Sequence, residues 1–551
     1  MQQAYTGSND FGGRSFASPS SRYSFSTRSI DPFGGTTSSS LGAAGRRTSS
    51  NPAQRRQTRR LLILFGILVV VLVLDGLYLH RLIFDNGPNG GRARAAQAHQ
   101  LHARNVDQVE RELVELLVRH KQAYDMQPPV DRIQDFADRF KVLLDLDKFQ
   151  TNLDNRGLND TSKELYTRST QHHFDQLFAK LFPYVSKSPK RPRTFNQLRQ
   201  RYTIPRGIII PCGNEQFRFA VHLIATLKNV HHTKLPITVV HAGNNDLSIE
   251  RRAALRSISP DVETFDILHF FDEDFVGLDG GGWAIKVFTI IASQFQETII
   301  CDADVIFLQD PQVLFDNPRY NQTGTLFFRD REIFPGDGNV HQWWSRIMEG
   351  RQPSQQLLES RWFTDQASRE EMESGVVVFD KRRRDVSLGL IFTGYLNIKS
   401  VREPVTYAQT YGDKESFWMS FELAGIPYHF QPEYAGIVGQ LTHPDAASHS
   451  IDSRICSEHM FHLDWRGRPL WWNGSLFQNK RSKNKGWFIA THWAPGTVDW
   501  DCEPEPWCMK GIREQDVKKL ADADGFDRVL SDMIGAAVVV ESRFPGLLPQ
   551  D

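Results

Sequence analysis

The spacing of apolar residues changes along the chain. Leu61–Leu79 is an almost unbroken apolar run of about 19 residues, roughly the length that crosses the hydrocarbon layer of a membrane as a helix. In residues 81–195 apolar positions recur at helical intervals, which predicts a helical stem. From Arg206 onward, short β-branched runs alternate with helical stretches. This order predicts an α/β domain with a mostly parallel, Rossmann-like sheet in residues 196–551.

The flanks of the apolar run predict its orientation. Residues 1–60 are rich in Ser, Gly, Thr and Arg, so we expect a disordered tail. Arginines cluster before the run more than after it, and positive charge stays on the cytosolic side. The tail should therefore be cytosolic, and residues 61–80 should be the signal anchor of a single-pass type II membrane protein with a lumenal stem. A cleaved signal peptide fits less well, because the run is long and far from Met1.

Charge and cysteine content narrow the expected partners. Lys+Arg and Asp+Glu both number 65, so the formal net charge is zero and no nucleic-acid partner is expected. The 5 cysteines all follow the predicted anchor, where a lumen would be oxidising. Cys502 and Cys508 are close enough in sequence to close a small loop, whereas Cys301 lies in an apolar strand and should be an inert buried thiol. Three glycosylation sequons lie on the same side of the anchor: Asn159, Asn321 and Asn473.

The strongest chemical signal is the pair Asp302 and Asp304, which directly follows the apolar Thr298–Ile300. Two carboxylates at positions i and i+2 can both turn toward one hard divalent cation where the chain bends. Such a cation neutralises a diphosphate leaving group. In a doubly wound sheet, ligands collect at the carboxyl ends of the strands. We therefore expect the chemistry just after this strand.

Four ordered blocks within Arg206–Ile426 resemble the fungal Golgi α-1,3-mannosyltransferases, which are nucleotide-sugar transferases of the glycosyltransferase A fold. The blocks are RGIIIPCGNEQF, GGWAIKVFTIIASQFQETIICDADVIFLQDP, MESGVVVFDK and GDKESFWMSFELAGI. The resemblance implies a Golgi membrane enzyme whose catalytic domain, residues 196–551, faces the lumen. It also implies GDP-mannose as donor, Mn²⁺ as cation, a mannosylated glycan or glycoprotein as acceptor, and α-1,3 transfer with retention of the anomer.

The resemblance assigns roles to single residues. Asp302 and Asp304 match the pair that grips metal and diphosphate. The more distantly similar glycogenin-like transferases add Lys286 as a donor-binding cation, although a solvated helix lysine is the alternative. They also add Asp413, with Glu415 beside it, as an acid near the acceptor; either could orient the acceptor hydroxyl or stabilise positive charge at the anomeric carbon. An N-cap of the following helix explains Asp413 equally well.

A third metal ligand is expected from the same pattern, in which a His precedes Lys-Pro by six residues. His462 precedes Arg468-Pro469 at that spacing, so it is the predicted ligand, with Arg in place of Lys. Other histidines remain rivals: His443, His459 and His492.

Short polar segments complete the predicted site. Gly213 and Asn214 follow the first strand, where a loop would pass beneath the nucleotide base, although an ordinary turn also explains the glycine. Ser374 and Gly375 precede another strand and could let the donor sugar or acceptor lie against the backbone. Two tryptophan pairs suit either stacking on sugar rings or the core: Trp343-Trp344 and Trp471-Trp472.

Two other functions fit the same sequence. The first is a transferase of the same fold that uses a UDP-sugar, because recognition of the nucleotide base depends on loop geometry that the sequence does not reveal. The second is a non-catalytic lumenal glycan-binding subunit, since a fold does not dictate activity. The oligomeric state is not predicted.

Overall fold

The computed structural model describes residues 90–126, 132–187, 192–336, 339–442, 454–482, 485–496, 500–502, 506–510, 512, 514–523 and 525–548. The predicted tail, residues 1–60, and the predicted anchor, residues 61–80, lie outside the described residues. Within those described ranges, every helix is too short or too polar to cross a membrane. The chain divides into two units, Met1–Asp107 and Gln108–Asp551. All that follows concerns the second unit, apart from the bounds of the first helix.

Fifteen strands run through the described ranges. In chain order they are β1 (Ile204–Pro211), β2 (Ile237–His241), β3 (Val262–Asp266), β4 (Phe295–Cys301), β5 (Val305–Phe307), β6 (Thr325–Arg329), β7 (Met372–Asp380), β8 (Gly436–Thr442), β9 (Arg454–Cys456), β10 (Met460–Leu463), β11 (Pro469–Asn473), β12 (His492–Ala494), β13 (Trp500–Asp501), β14 (Cys508–Met509) and β15 (Lys518–Lys519).

The α-helices are Gly90–Asp125, Ile133–Asn152, Asp160–Leu181, Pro183–Ser186, Phe195–Arg199, Phe217–Ala225, Gly243–Asp246, Ile249–Arg256, Glu273–Val276, Ile285–Ala292, Pro318–Thr323, Val340–Ile347, Gln355–Leu358, Arg361–Thr364, Arg384–Asn397, Lys399–Val401, Ser416–Ala424 and Phe526–Glu541. Shorter 3-10 turns are Leu153–Arg156, Ile267–His269, Pro311–Asp316 and Glu514–Asp516, and π-helical turns are Thr226–Val230 and Arg402–Thr406.

The first sheet has the order β3-β2-β1-β4-β7-β6. Strands β3, β2, β1 and β4 are mutually parallel, and β7 runs antiparallel to both β4 and β6. The apolar centres of β1, β4 and β7 are buried, as expected for strands covered on both faces. The predicted α/β class with a parallel sheet is therefore confirmed.

A second, antiparallel sheet follows the order β13-β14-β9-β8-β10-β11-β5, in which β12 also pairs with β8, and β15 pairs with β12. The sequence did not predict it, because its strands are short and pair over long separations. A disulfide joins Cys456 in β9 to Cys508 in β14. The expected loop between Cys502 and Cys508 is wrong, because β14 lies beside β9 and its cysteine faces Cys456. Cys301 is a buried thiol, as predicted.

The helices of the predicted stem pack onto the α/β domain. The ring of Phe136 stacks on Tyr395 with centroids 3.4 Å apart, and Arg384 donates to Asp147 across 2.7 Å. Phe136 is fully buried in this contact. Residues 133–186 therefore pack against the helix Arg384–Asn397, which follows β7.

The two sheets meet at the turn that carries the acidic pair. Strand β4 ends at Cys301 in the first sheet, and β5, which begins at Val305, pairs with β11 in the second. Because β4 and β6 both end at the edge where the antiparallel β7 begins, residues that follow β4 and β6 lie near residues at the start of β7. This edge holds the candidate site.

Candidate active site

The turn Asp302-Ala303-Asp304 is held by backbone hydrogen bonds from both sheets. The amide of Asp302 donates to the carbonyl of Gly375 at 2.9 Å, and the amides of Gly474 and Ser475 donate to the carbonyl of Asp304 at 3.2 and 2.7 Å. The main chain is thus fixed without the carboxylates. The side chains of Asp302 and Asp304 remain 25% and 16% exposed, so they are accessible to a ligand.

Lys286 lies at the centre of the site. It projects from the first turn of the helix Ile285–Ala292, and its Nζ contacts Asp302 at 2.9 Å and the hydroxyl of Ser374 at 3.0 Å. Burial alone would lower the pKa of Lys286, but the carboxylates of Asp302 and Asp413 outweigh it and raise that pKa. Burial raises the pKa of Asp302, and the ammonium opposes the rise. The alternative of a solvated helix lysine is wrong, because the side chain is 11% exposed.

Asp413 lies on the other side of Lys286, with its Oδ2 3.7 Å from Nζ. In the described part of the chain this oxygen has no hydrogen-bond partner, although the side chain is only 3% exposed. Burial raises the pKa of Asp413. Its side chain does not cap the helix Ser416–Ala424, which has no side-chain cap. The N-cap alternative is therefore not supported, and the unpartnered oxygen is available to a ligand.

Glu415 does not join this group. Its Oε1 accepts from the amides of Glu371 and Met372 at 3.0 and 3.2 Å, and its Oε2 accepts from the indole of Trp418. The side chain is buried, and this burial raises its pKa to about 8. The prediction that Glu415 orients the acceptor is therefore corrected. Glu415 lies two residues after Asp413 but on the other side of the turn, where its carboxylate binds the backbone amides at the start of β7.

A buried ionic cluster beside Ser374 was missed. Lys414 donates to Asp330 at 2.6 Å and to Glu373 at 3.1 Å, and Asn473 donates to the other oxygen of Glu373 at 2.9 Å. Burial would raise the pKa of Glu373, but Lys414, then Asn473, lower it to about 2. Glu373 is therefore ionised at neutral pH. Glu373 and Lys414 both lie in the four blocks, next to Ser374 and Asp413, but neither was singled out as a site residue.

A second lysine, also missed, faces Asp304. Lys480 comes from the loop after β11, and its Nζ forms an ion pair with the Oδ2 of Asp304. Its side chain is 32% exposed, against 11% for Lys286. The basic run around Lys480 carries no spacing that would have singled it out. Each carboxylate of the pair thus has its own counter-ion, one buried and one near solvent.

His462 lies in β10, with its ring stacked on Trp471 at 4.0 Å. Its Nε2 has no hydrogen-bond partner in the described ranges, and burial lowers its pKa to about 3. Its charged neighbours are Glu373, Arg331 and Lys414, not the acidic pair. Among the described residues, no three His, Cys, Asp or Glu side chains are grouped as a metal site. His462 as third ligand stays a prediction.

The rival histidines differ in what their rings contact. Both ring nitrogens of His459 are engaged, with Ser457 at 2.8 Å and the carbonyl of Phe477 at 3.0 Å. His492 lies in β12, where its Nδ1 is 2.9 Å from the hydroxyl of Thr491. His443 lies outside the described residues.

Gly213 and Asn214 follow β1 and pack against the turn after β2. A Cβ on Gly213 would lie 2.5 Å from a carboxylate oxygen of Asp246, so a larger residue would require the Asp246 side chain to move. The side-chain Nδ2 of Asn214 donates to the carbonyl of Asn245 at 3.0 Å, and its side-chain Oδ1 accepts from the backbone amide of Ser248 at 3.1 Å. Through these bonds, the loop after β1 is fixed against the segment that follows β2. Their predicted contact with a nucleotide base stays a prediction.

Ser374 and Gly375 link the acidic pair to Glu373. The hydroxyl of Ser374 accepts from Lys286, and the amide of Gly375 donates to Glu373 at 2.8 Å. A Cβ on Gly375 would approach that carboxylate to 2.7 Å. Both predicted residues are therefore in the site, and Gly375 is required by close packing.

The tryptophan pairs and one sequon have structural roles. Trp344, Trp471 and Trp472 are fully buried, so the core interpretation holds for them. The amide nitrogen of Asn473, the residue that would carry a glycan, donates to Glu373 inside the site. The sequon at Asn473 is thus not an accessible modification site in the folded chain.

An α/β sheet whose carboxyl edge presents paired carboxylates and a buried lysine is the type of site expected for a glycosyltransferase. Residues 205–464 match a family model described as "Mannosyltransferase putative". Residues 205–464 are thus similar to this mannosyltransferase family, which confirms the resemblance found in the four blocks.

Curated relatives agree with the family. "Putative alpha-1,3-mannosyltransferase MNN14" of Candida albicans is 28% identical over 311 residues, which cover 50% of this chain and 43% of that protein. "Alpha-1,3-mannosyltransferase MNT3" of Saccharomyces cerevisiae is 27% identical over 274 residues, 44% of this chain and 42% of that protein. The chain thus spans less than half the length of these two relatives. Among solved structures, that of the WbbM bifunctional glycosyltransferase matches with 11% identity, 60% coverage of each chain and a TM-score of 0.30.

Proposed function

We propose that this chain is a glycosyltransferase of the glycosyltransferase A fold that moves mannose from GDP-mannose to a mannosylated glycan. The linkage is α-1,3 and the α anomer is retained. The observation that carries the proposal is the group of Asp302, Asp304 and Lys286 at the carboxyl edge of the first sheet. The match to the mannosyltransferase family model and the names of the curated relatives support mannose as the sugar.

The residues present fit a divalent cation such as Mn²⁺. Asp302 and Asp304 offer partly exposed carboxylates on one turn, and hard cations that bind nucleotides often use one or two carboxylates, with substrate phosphates and waters as the other ligands. A bound cation would supply Lewis-acid stabilisation of the departing diphosphate. The two carboxylates suffice for this arrangement, and His462 stays the predicted third protein ligand.

The chain's own groups then hold and orient the donor. Lys286 is fixed by Asp302 and Ser374, so its ammonium is preorganised to stabilise negative charge on the donor. Asp413 and Glu373 place negative charge on the acceptor side of that lysine. Negative charge there stabilises the positive charge that develops on the sugar ring as the bond to the diphosphate breaks. Positioning of the acceptor hydroxyl supplies the remaining advantage.

The proposed location is the Golgi membrane, with residues 61–80 as signal anchor and the catalytic domain in the lumen. The disulfide between Cys456 and Cys508 supports an oxidising compartment. Exposed Asn321 in the helix Pro318–Thr323 would be accessible to glycosylation there.

The test is a donor screen with the full-length, detergent-solubilised protein. GDP-mannose, UDP-glucose and UDP-galactose are supplied with a mannoside acceptor, in Mn²⁺ or in EDTA, and the product linkage is determined. We expect transfer from GDP-mannose alone, lost in EDTA, with an α-1,3-linked product. Transfer from a UDP-sugar would replace the donor and keep the fold. No transfer by a folded protein that still binds mannosides would favour the non-catalytic glycan-binding subunit.

A further inference from the structure

A strip of charged side chains extends from the candidate site away from the acidic pair. Lys414 bridges Glu373 and Asp330, and Asp330 is the first residue after β6. The next residue, Arg331, lies over the indole of Trp507, with its guanidinium carbon 4.4 Å from the ring centroid, and 5.7 Å from that of Trp500. The strip therefore joins the end of β6 in the first sheet to β13 and β14 in the second.

Arg331 has hydrogen-bonding capacity that the described residues do not use. Its side chain is only 12% exposed, yet its Nε has no hydrogen-bond partner within the described ranges. Among the described residues, the carboxylate oxygen nearest to this Nε is on Asp330, 3.9 Å away, which is too far for a hydrogen bond. A buried guanidinium donor without a partner costs free energy unless a ligand satisfies it. The cation–π contacts with the two indoles keep the guanidinium in place meanwhile.

The position of Trp507 is itself fixed. Its carbonyl accepts from the amide of Ser457 at 2.9 Å, and the next residue, Cys508, is bonded to Cys456. These links hold the indole against Arg331 from the second sheet. Trp507 is therefore a positioning residue for the guanidinium.

The charges around Arg331 favour a neutral polyhydroxyl ligand over an anion. Asp330 and Glu370 place carboxylates beside the cations Arg331 and Lys414. The side chain of Glu370 is only 11% exposed and also forms an ion pair with Arg369 at 3.4 Å. Sugar hydroxyls both donate and accept hydrogen bonds, so they can satisfy carboxylates and cations together. Because the carboxylates balance the cations of this cluster, a phosphate would gain no net electrostatic attraction there.

We propose that Asp330, Arg331, Glu370 and Lys414, with Trp500 and Trp507 as supports, form the subsite that binds the non-reducing mannose of the acceptor. This inference rests on the proposed function and adds the acceptor's location to it. Lys414 connects the subsite to Glu373, and Gly375, which donates to Glu373, accepts from the amide of Asp302. Acceptor and donor therefore bind on opposite sides of one short hydrogen-bonded path.

The test measures acceptor binding without any donor. Binding of α-linked mannobiose to the full-length protein is measured by ligand-observed NMR, and GDP with Mn²⁺ is followed separately by its thermal shift. We compare Arg331→Ala, Arg331→Gln, Trp507→Ala and Trp507→Phe with a control, Arg319→Ala. Arg319 is an exposed residue of the helix that precedes β6, at the opposite edge of the first sheet.

We expect both Arg331 variants to weaken mannobiose binding at least tenfold and Trp507→Ala to weaken it severalfold. Trp507→Phe should restore most of the affinity, because it keeps an aromatic face for the guanidinium. Arg319→Ala should bind like the wild type, and the GDP shift should be the same in every variant. Two Arg331 substitutions are included so that a folding defect in one does not decide the result.

Other outcomes separate this proposal from the donor proposal. Unchanged mannobiose binding in folded Arg331 variants would overturn the subsite. A wild type stabilised by GDP with Mn²⁺ that binds no mannobiose would also overturn it and leave the donor assignment standing. Mannobiose binding that depends on Arg331 without any GDP shift would uphold the subsite and count against the donor, and absence of both would overturn both. Tighter binding of mannose 6-phosphate than of mannobiose would overturn the choice of a neutral ligand.

Discussion

The two sheets contribute to the candidate site in different ways. The first sheet supplies groups that are buried and bonded several times over, such as Lys286 with its contacts to Asp302, Ser374 and Asp413. The second sheet supplies groups that reach across the junction with fewer contacts: Lys480 to Asp304 and Asn473 to Glu373. The first sheet thus supplies the buried charged residues at the centre of the site, and the second supplies single contacts to their carboxylates.

This difference predicts how the molecule responds to change. A multiply bonded, buried ion cannot be removed without leaving another buried charge uncompensated. An ion pair with a third of one side chain exposed is screened by water and contributes little. We therefore expect large effects from the first sheet's residues and smaller ones from the second's.

The largest effect should come from Asp302→Asn. The amide keeps the size of the side chain but removes the negative charge that Lys286 and the donor complex require, so mannosyl transfer should fall by at least about 10³-fold, roughly 4 kcal/mol. Transfer rates under saturating GDP-mannose measure this. The exposed Asp316→Asn is the matched control and should retain full activity. An Asp302→Asn protein as active as that control would remove the acidic pair from the mechanism.

Lys286→Met should come next, in stability as well as activity. Without the ammonium, Asp302 and Asp413 lose their shared counter-ion, and the free energy of unfolding should drop by about 3 kcal/mol. Urea unfolding measures this drop, with the exposed Lys399→Met as control. If Lys286→Met were as stable as the control, the buried contacts of Lys286 would not distinguish the first sheet from the second.

A smaller effect is expected where the C-terminal helix joins the two sheets. Glu541 ends the helix that covers the core of the second sheet, and it accepts from Arg218 and His222 on the helix after β1. Burial would raise its pKa, but the bonds to His222 and Arg218 lower it from 4.5 to about 2. Because the folded pKa lies below the ordinary value, this stabilisation is complete above about pH 4.5 and is lost as the pH falls toward 2.

Glu541→Gln should therefore lower the free energy of unfolding by about 2 kcal/mol at pH 7. The difference from the wild type should shrink steadily below pH 4.5, which urea unfolding at several pH values measures. Glu349→Gln, at an exposed position, should show no such pH-dependent difference. A gap that stayed constant down to pH 3 would contradict the assigned ion pair.

The smallest effect should come from Lys480→Ala. This residue competes for Asp304 with any cation that binds there, so its loss should raise the affinity for Mn²⁺ by about threefold and change stability by less than about 1 kcal/mol. Mn²⁺ titration of donor-dependent activity measures the affinity. A large loss of activity would place Lys480 with the first sheet's residues and erase the contrast between the sheets.

Most of the first sheet could be predicted from the sequence, and little of the second. Strands β1 and β4 are continuous apolar runs separated by helical spacing, so local pattern and chain order define them. The second sheet uses strands as short as two residues, paired over separations such as Cys456 to Cys508. Local spacing carries no information about such pairings, which depend on the completed core.

The residues of the site also differ in how far the sequence predicted them. Asp302, Asp304, Lys286 and Asp413 lie in blocks whose residue types and order suggested them. Lys480 lies outside the blocks, and Lys414 lies inside one but was not singled out, because the role of each lysine depends on which carboxylate it faces after folding. Glu415 was wrongly assigned to the site, because it lies two residues from Asp413 in a matching block. In the fold its carboxylate accepts from backbone amides at the start of β7 instead.

The amide of Asn473 has one further consequence, which concerns timing. An oligosaccharide can be added to this sequon only while the chain is still extended, because the folded protein uses the same nitrogen to hold Glu373. A chain modified there early could not complete the junction between the sheets. In the lumenal location proposed above, a sugar on Asn473 and the native contact with Glu373 would therefore exclude each other.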